Sequence, residues 1–305
     1  MDKRNKQAYF LLEDIHDFLD TYHAKHPFFY LSADSGFIKN QKHTIDVWIA
    51  EHNLVAIASG LALKGNKVII SAISSFLLEN SYLVLKNVVS YYNLNLIMIG
   101  VWSGIAYSKM GHTHHNLDDI GYINLLPNLK ILLPADSNEL VQAITYAYKS
   151  GGPYYIRIWW FRGENLALPF VGNFLDFKKK IIGNDKNILI ISYGQLLHEV
   201  VAAQKKLEAG GIKSSIMNFN AMNNFSINNL QKELANYKHI FVIEDHFENS
   251  WVWSRLIANG IKNVYIKWIK KEHIDISWDI EFLRDTLWIS KDHIVAFIKK
   301  NIKHD

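Results

Sequence analysis

The sequence predicts an α/β protein with two domains, each built around a parallel β-sheet. Short apolar runs alternate with segments whose apolar residues recur at helical spacing, which is typical of strands covered on both faces by helices. The alternation stops once, between about residues 160 and 187, and then resumes. At 305 residues the chain is long enough for two domains of ordinary size.

The first half predicts a domain of four helices and five strands. Gly65 closes the second helix, and Ser137 is predicted as the N-cap of the fourth, just before Glu139. The predicted helices cover residues 6–26, 51–65, 76–93 and 137–152, and the predicted strands cover residues 27–34, 67–73, 94–101, 129–136 and 153–160.

A linker and a smaller domain follow. Gly, Pro, Asn and mixed charges after about residue 160 predict a linker with an edge strand. We therefore expect a first domain over residues 1–163, a linker over 164–186 and a second domain over 187–305. The second domain is predicted to contain strands at 187–194, 212–219 and 239–246, and helices at 195–211, 226–238 and 250–261.

The composition excludes several classes of protein. A hydrophobic content of 49% and a charged content of 20% describe a globular chain, and its net charge of +4 comes without a nucleic-acid reading motif. The absence of cysteine rules out disulfides and cysteine metal sites. We see no signal peptide and no apolar run of membrane-spanning length, so we expect a cytoplasmic protein.

One carboxylate stands out in an apolar setting. Glu51 opens the helical run "EHNLVAIASGLALKG", at the carboxyl end of the predicted sheet, where parallel sheets bind their ligands. A charged group entering a buried helix is costly unless its charge or its proton is needed there. The alternative is that Glu51 only stabilises the start of its helix through the helix dipole.

Several longer segments resemble the carboxyl-terminal two-thirds of a transketolase. They include "IAEHNLVAIASGLALKG", "GHTHHNLDDIGYINLLPNLKILLPADSNE", "GGPYYIRI" and "FVIEDH". The resemblance covers nearly the whole chain in order, and the bacterial transketolases that are split between two polypeptides are the most similar. It implies a pyrimidine-binding domain of the kind found in thiamine-diphosphate enzymes, followed by a transketolase C-terminal domain.

The resemblance implies a cofactor role for three residues. A glutamate at the position of Glu51 hydrogen-bonds N1′ of the aminopyrimidine of thiamine diphosphate, and it thereby activates the cofactor. Phe76 corresponds to an aromatic ring that stacks on the aminopyrimidine, and Tyr82 to a second aromatic residue of that pocket. Without the resemblance, both aromatic residues would be interpreted as ordinary core.

The turn "GHTHH" matches a catalytic turn of the family. The resemblance implies that His114 faces the reacting carbon and donates a hydrogen bond or transfers a proton, with His115 and Asp118 in supporting positions. Two alternatives are a loop histidine that is satisfied by backbone groups and a metal site that uses His112. We do not favour a metal site, because no third ligand follows at a recognisable spacing.

The substrate positions depart from the family pattern. Trp102, Met110 and Trp160 stand where transketolases commonly have polar, acidic and arginine side chains, although Arg162 is close to the last of them. Lys6 stands where the family tends to have a phosphate-facing arginine, so the charge is kept without the bidentate fork. The changes imply a bulkier or less phosphorylated substrate, such as a modified or nucleotide-linked sugar.

The sequence lacks the Gly-Asp-Gly signature with which the family holds the diphosphate and its Mg²⁺. We therefore expect a second, N-terminal transketolase-type subunit that carries this signature and a later Asn. The predicted protein is one subunit of an α₂β₂ transferase, which moves a two-carbon ketol or acyl unit to an aldehyde or ketone sugar. The alternatives are the beta chain of a 2-oxoacid dehydrogenase or acetoin-forming enzyme, and a non-catalytic partner subunit.

Overall fold

The computed structural model describes most of the chain. The residues that it describes are 12–34, 44–159, 166, 180–222, 227–248, 256–257, 260–273 and 275–302. Three of the predicted substrate residues, Lys6, Trp160 and Arg162, lie outside this range.

A six-stranded parallel sheet forms the first domain, with strand order β2-β1-β3-β4-β6-β5. The central strands β3 and β4 are buried at every position and are apolar apart from Ser71, as expected for strands covered by helices on both faces of the sheet. The strands are β1 (Phe29–Ser32), β2 (Thr44–Asp46), β3 (Val68–Ile73), β4 (Leu96–Val101), β5 (Lys130–Leu132) and β6 (Tyr154–Arg157).

Six helices belong to this domain. In the second of them, buried residues recur every three or four positions, so one face packs against the sheet. The helices are α1 (Leu12–Lys25), α2 (Glu51–Leu63), α3 (Ser74–Glu79), α4 (Tyr82–Val84, continued by a π-helix over Leu85–Ser90), α5 (Asp119–Ile123) and α6 (Ser137–Ser150).

Two predictions for this domain are wrong in detail. The single helix expected over residues 76–93 is broken between α3 and α4. The N-cap of α6 is Asp136 rather than Ser137, because Asp136 has the extended backbone of a cap and its carboxylate accepts a 2.9 Å hydrogen bond from Glu139 N. The Glu139 carboxylate in turn accepts from Ala135 N at 3.0 Å, which completes a reciprocal cap.

The second domain contains a five-stranded mixed sheet, with strand order β11-β10-β8-β9-β7. Its strands are parallel except for β7, which pairs antiparallel with β9 and is the edge strand expected in the linker stretch. The strands are β7 (Lys180–Ile182), β8 (Ile188–Ser192), β9 (Ser215–Asn218), β10 (His239–Phe247) and β11 (Val264–Ile269).

The second domain contains one strand and two helices after the last predicted element. The predicted elements end at residue 261 and therefore do not include β11 or the last two helices. The helices with described bounds are α7 (Leu197–Ala209), α8 (Ile227–Leu234), α9 (Ile280–Thr286) and α10 (Lys291–Ile302). No helix among the described residues is long and apolar enough to cross a lipid bilayer.

The two domains make direct contact. Leu132 at the end of β5 forms an isolated antiparallel bridge with Ala221, which follows β9. The Asn218 side chain donates hydrogen bonds to both carboxylate oxygens of Glu139, at 3.0 and 3.2 Å. These contacts place the start of α6 against the second sheet.

Candidate active site

Glu51 is the first residue of α2, and only 6% of it is exposed. The preceding residue, Ala50, provides no side-chain cap. Among the described residues, no group forms a hydrogen bond or an ion pair with the Glu51 carboxylate. A carboxylate in a largely buried residue that no described group pairs is available to a ligand that offers a hydrogen-bond donor.

The start of α2 is tied to the chain that follows α3. The buried hydroxyl of Ser81 donates to the backbone carbonyl of Glu51 at 3.2 Å. The Nδ1 atom of His52 donates to the backbone carbonyl of Asn80 at 3.0 Å. The position of Glu51 is thereby linked to the helix that carries Phe76.

Four aromatic side chains form a row across the carboxyl end of the first sheet. The half-buried ring of Phe76 lies 4.9 Å from that of His114, edge to face. His114 lies 5.0 Å from Tyr107, which stacks on Trp102 at 4.4 Å. The structure therefore brings Phe76, His114 and Trp102 together. Sequence reasoning missed Tyr107, which joins them.

The end of β3 and the end of β4 explain this placement. Ile73 and Val101 are paired at the last register position of the two strands. Trp102 follows Val101 directly, and Phe76 lies in the first turn of the helix that follows Ile73. The backbone of Trp102 has a φ of 57°, in the left-handed region that a bulky residue rarely adopts. Such strain is tolerated where the surroundings hold a side chain in a required position.

His114 is oriented by its own loop. Its backbone N–H donates to Gly111 O at 3.0 Å, and its Nδ1 atom shares a 2.9 Å hydrogen bond with the Thr113 hydroxyl. Burial lowers the pKa of His114 below its usual value. The ring is therefore neutral at pH 7, with one nitrogen able to accept and the other able to donate.

His115 lies behind this loop and is buried. Burial lowers its pKa, opposed by a hydrogen bond with the backbone of Ser108. Its Nε2 atom has no hydrogen-bond partner among the described residues. In the described part of the chain, no group of three or more His, Cys, Asp or Glu side chains is placed to hold a metal ion.

Tyr82 and Met110 lie apart from the aromatic row. Tyr82 packs edge to face on Tyr122 at 5.7 Å, and its hydroxyl makes a long 3.4 Å contact with Tyr122 O. Met110 ends a 3₁₀ turn, and half of its surface is exposed. No ring contact or hydrogen bond between described residues joins either side chain to Phe76 or His114.

A buried network of charged side chains lies next to the loop that carries His114. The Arg157 Nε atom donates to Asp119 Oδ2 at 2.9 Å, and its Nη1 atom donates to Asp245 of β10. The Tyr155 hydroxyl also donates to Asp119, at 2.8 Å, and the Trp159 indole donates to Asp245 at 3.2 Å. The network joins the two domains beneath the segment that carries His114.

The neighbouring residues of β10 extend this network. The Tyr193 hydroxyl hydrogen-bonds to His246 Nδ1 at 2.6 Å and donates to Glu244 at 3.2 Å. All three side chains are buried. Through Asp245, the segment "FVIEDH" therefore contributes to the contact between the domains.

Gly104 brings the loop against this network. Gly104 and Asn116 form a two-way backbone bridge at 3.1 and 2.9 Å, which closes the loop that contains Tyr107 and His114. The φ of Gly104 is 62°, and a Cβ atom there would overlap Asp245 Oδ2 and lie 3.0 Å from Arg157 Nη2. Only glycine fits this position without a shift of its neighbours.

Comparison with known proteins identifies both domains. Residues 13–159 match the pyrimidine-binding domain of transketolase, and residues 178–267 match the transketolase C-terminal domain. One apulose-4-phosphate transketolase subunit, from Actinobacillus succinogenes, is 31% identical over 71% of this chain and 69% of its own length. The 1-deoxy-D-xylulose-5-phosphate synthase of Malacoplasma penetrans is 29% identical over 75% of this chain, but over only 36% of its own length.

Solved structures show the same fold. A structure described as a split gene transketolase, inactive beta4 tetramer, superposes with a TM-score of 0.79 over 95% of this chain and 97% of that chain, at 20% identity. The transketolase of Campylobacter jejuni superposes with a TM-score of 0.81 over 98% of this chain but only 48% of that chain, at 17% identity. From the two matched domains and the similarity to the apulose-4-phosphate transketolase subunit, the chain belongs to the transketolase family.

Proposed function

We propose that this chain is one subunit of a two-chain, thiamine-diphosphate-dependent transketolase-like transferase. It moves a two-carbon ketol or acyl unit to an aldehyde or ketone sugar. The observation that carries this proposal is Glu51, a residue only 6% exposed whose carboxylate has no partner among the described residues. Its backbone is tied to the chain that follows the helix of Phe76, at the carboxyl end of the sheet. Two relatives are named as subunits of an apulose-4-phosphate transketolase, which supports the enzyme class.

The residues at this end of the sheet fit the pyrimidine part of the cofactor. Glu51 offers a carboxylate with no competing partner among the described residues, and Phe76 offers a half-buried aromatic ring. We assign Glu51 to the ring nitrogen, Phe76 to the ring face and Tyr82 to the outer wall. When bound, thiamine diphosphate supplies the carbon atom that carries the two-carbon unit.

We assign the proton transfers of the reaction to two residues of this chain, Glu51 and His114. A carboxyl group held out of water can share a proton with a ring nitrogen, which is the role that we propose for Glu51. His114 is neutral at pH 7 because burial lowers its pKa, so it can donate a hydrogen bond to a substrate oxygen or accept a proton from it. The Thr113 hydroxyl holds the imidazole in place for this task.

The substrate wall is more apolar than that of an ordinary transketolase. Trp102 presents a ring stacked on Tyr107, and Met110 is half exposed at the end of the neighbouring turn. We propose that these residues, with His115 behind the loop and with Lys6, Trp160 and Arg162 from outside the described range, select a bulkier or less phosphorylated sugar. A nucleotide-linked sugar would be bulkier, and a modified sugar without a phosphate would be less phosphorylated.

A second subunit completes the enzyme in this proposal. No Gly-Asp-Gly occurs in the 305 residues, so a partner with that signature and a later Asn holds the diphosphate and Mg²⁺, in an α₂β₂ assembly. The two apulose-4-phosphate transketolase relatives are each named as a single subunit, which supports a divided enzyme. The cytoplasmic location and the domain limits at residues 163 and 187 also belong to this proposal.

The test measures cofactor binding and activation separately. The chain is titrated with thiamine diphosphate and Mg²⁺ by calorimetry, alone and together with a candidate partner subunit that carries the Gly-Asp-Gly signature. Exchange of the cofactor's C2 proton is then followed by NMR. We expect tight binding and fast exchange only in the mixture, with exchange lost in Glu51→Gln and kept in Glu208→Gln, an exposed glutamate at the end of α7.

Three outcomes would contradict the proposal. Tight binding by the chain alone would mean that no partner is needed for the diphosphate. Binding without an effect of Glu51→Gln on exchange would remove Glu51 from the catalytic role. An assembled complex that binds no cofactor would favour a non-catalytic subunit.

A further inference from the structure

An open cavity lies at the outer edge of the second domain, on the side of β11 and the turn after α9. Its volume is about 340 Å³, which is within the range of sites for small organic ligands. Aromatic and cationic side chains dominate its lining. The lining residues are Ile266, Lys267, Trp268, Lys270, Leu287 and Trp288.

The cavity contains a half-buried cation without a counter-charge. The Lys267 Nζ atom lies 5.1 Å from the ring centroid of Phe297 and 5.7 Å from that of Trp288. Burial lowers its pKa, and no carboxylate among the described residues pairs with it. Two ring faces compensate an ammonium only partly, so an anion in the cavity would complete the environment of Lys267.

A second cation lies at the rim. Lys270 forms an ion pair with Glu272 at 3.2 Å, and both side chains are largely exposed. Exposed pairs of this kind contribute little and exchange readily with solvent. Lys270 can therefore add positive charge at the entrance without disturbing the fold.

Trp288 occupies a backbone position that normally belongs to glycine. It follows the end of α9 with a φ of 64°, and the N–H groups of the next two residues donate to Arg284 O. Glycine is preferred at this point of a helix end, because a side chain with a Cβ atom is strained in this conformation. Trp288 nevertheless occupies this position, and 61% of its surface is exposed.

The Trp288 ring is held in place. It stacks on His293 of α10 with ring centroids 5.2 Å apart and an interplanar angle of 29°. Across the cavity, Trp268 belongs to the edge strand β11. The cavity thus combines a fixed and exposed aromatic face with an ammonium that no described carboxylate pairs, which suits a ligand that offers a flat ring and a negative charge.

We propose that this cavity binds a small planar aromatic anion, with its ring against Trp288 and its charged group at Lys267. A nucleoside monophosphate and an aromatic carboxylate share this chemistry. Lys267 and Trp288 lie in the second domain and take no part in the proposed transferase site. The inference therefore stands or falls independently of the proposed function.

Calorimetry on the full chain separates the two requirements of the site. AMP and indole-3-acetate provide a ring with an anion, adenosine provides a ring alone, and inorganic phosphate provides an anion alone. We expect at least one of the ring-bearing anions to bind, and adenosine and phosphate to bind at least tenfold more weakly. Binding of AMP alone would identify a phosphate ligand, and binding of indole-3-acetate alone would identify a carboxylate ligand.

Two variants test the assigned contacts. Lys267→Met keeps the apolar stem and removes the charge, and Trp288→Gly removes the ring while suiting the positive φ. Each should weaken binding at least tenfold. Trp48→Gly is the matched control, because Trp48 is also exposed (79%) and also has a positive φ of 57°, but lies in the first domain.

The outcomes that overturn the proposal are equally definite. One is the absence of binding of both ring-bearing anions at millimolar concentration. Another is binding that is unchanged in Lys267→Met and Trp288→Gly, or weakened as much in the Trp48→Gly control. Should Trp288→Gly fail to fold in a circular dichroism melt, Lys267→Met and the ligand series decide the question without it.

Discussion

The Asp245 carboxylate accepts hydrogen bonds from Nη1 of Arg157, at 3.2 Å to each of its oxygens, across the boundary between the two domains. Burial alone would lower the pKa of the guanidinium, but Asp119 and Asp245 outweigh it and raise that pKa above its usual value. The cation is therefore fixed between two carboxylates, one from each domain.

Removal of the charge of Asp245 should destabilise the protein strongly. In Asp245→Asn, Arg157 stays buried with one carboxylate fewer, and breaking a buried pair of this kind costs about 3–5 kcal/mol. The free energy of unfolding, measured by urea denaturation, should fall by an amount of that order. Asp292→Asn breaks the exposed pair with Lys206 and serves as the control, with no measurable change expected. Equal effects would show that burial does not distinguish the two pairs.

A methyl group at Gly104 should destabilise the protein more than one at Gly194. Both glycines have positive φ values, 62° and 56°, so alanine is strained at each by about 1 kcal/mol. The added Cβ at residue 104 also meets Asp245 and Arg157, whereas nothing lies within 4 Å of it at residue 194. We expect Gly104→Ala to cost about 1–3 kcal/mol more than Gly194→Ala in urea unfolding. Similar costs would mean that the loop shifts freely away from the second domain.

His246 should make the protein less stable as the pH falls below neutrality. Burial, assisted by Arg157 and opposed by Asp245, lowers the pKa of His246 from 6.5 to about 3. The unfolded chain therefore takes up the proton first, so the contribution is complete above pH 6.5 and is lost as the pH falls toward 3. The slope from this group is up to about 1.4 kcal/mol per pH unit.

The measurement is the free energy of unfolding as a function of pH, in the wild type and in His246→Gln. The buried His115 and the partly buried His198 also have lowered pKa values, so they contribute to both curves. The difference between the two slopes therefore isolates His246. Parallel curves between about pH 5 and 6 would show that His246 does not titrate as its burial requires.

His114 should matter for turnover rather than for cofactor binding. In the proposed two-subunit enzyme, His114→Asn removes the ring to which we assign the proton transfer, and general acid–base groups contribute about 10²–10⁴-fold to rate. We expect kcat/KM to fall within that range while the affinity for thiamine diphosphate stays unchanged. His112→Asn, at an exposed position of the same turn, should keep nearly full activity. A loss of similar size in both variants would point to the fold of the turn instead.

The core of the fold can be predicted from the sequence because the central strands are short runs of almost entirely apolar residues. Strands β3 and β4 are buried at every position. Strand β2 is not predicted, because Thr44–Asp46 is short and two of its three residues are exposed. The predicted N-cap of α6 is one residue late, since Asp136 and Ser137 are both good capping residues and only the backbone conformation distinguishes them.

Residues of the candidate site can be predicted from the sequence only where they lie in a recognisable motif. Phe76 and His114 lie in motifs that resemble transketolase, and the structure brings their rings together. Tyr107 lies in an irregular loop, where an aromatic residue has no periodicity to mark it. The pairing of Arg157 with Asp245 spans 88 residues of sequence. It depends on how the two sheets pack against each other, and the sequence around either residue does not indicate that packing.

The Asp245 side chain of strand β10 reaches into the first domain, where it binds Arg157. This contact limits which first and second domains of related proteins can be combined in one chain. In this chain, Arg157 and Gly104 of the first domain fit a second domain that places an acidic residue at position 245, because Arg157 pairs with its carboxylate and Gly104 leaves room for it. A chimera assembled from family members without that acidic residue would bury an arginine with a single counter-charge. Exchange of halves between lineages must therefore transfer both sides of this junction together.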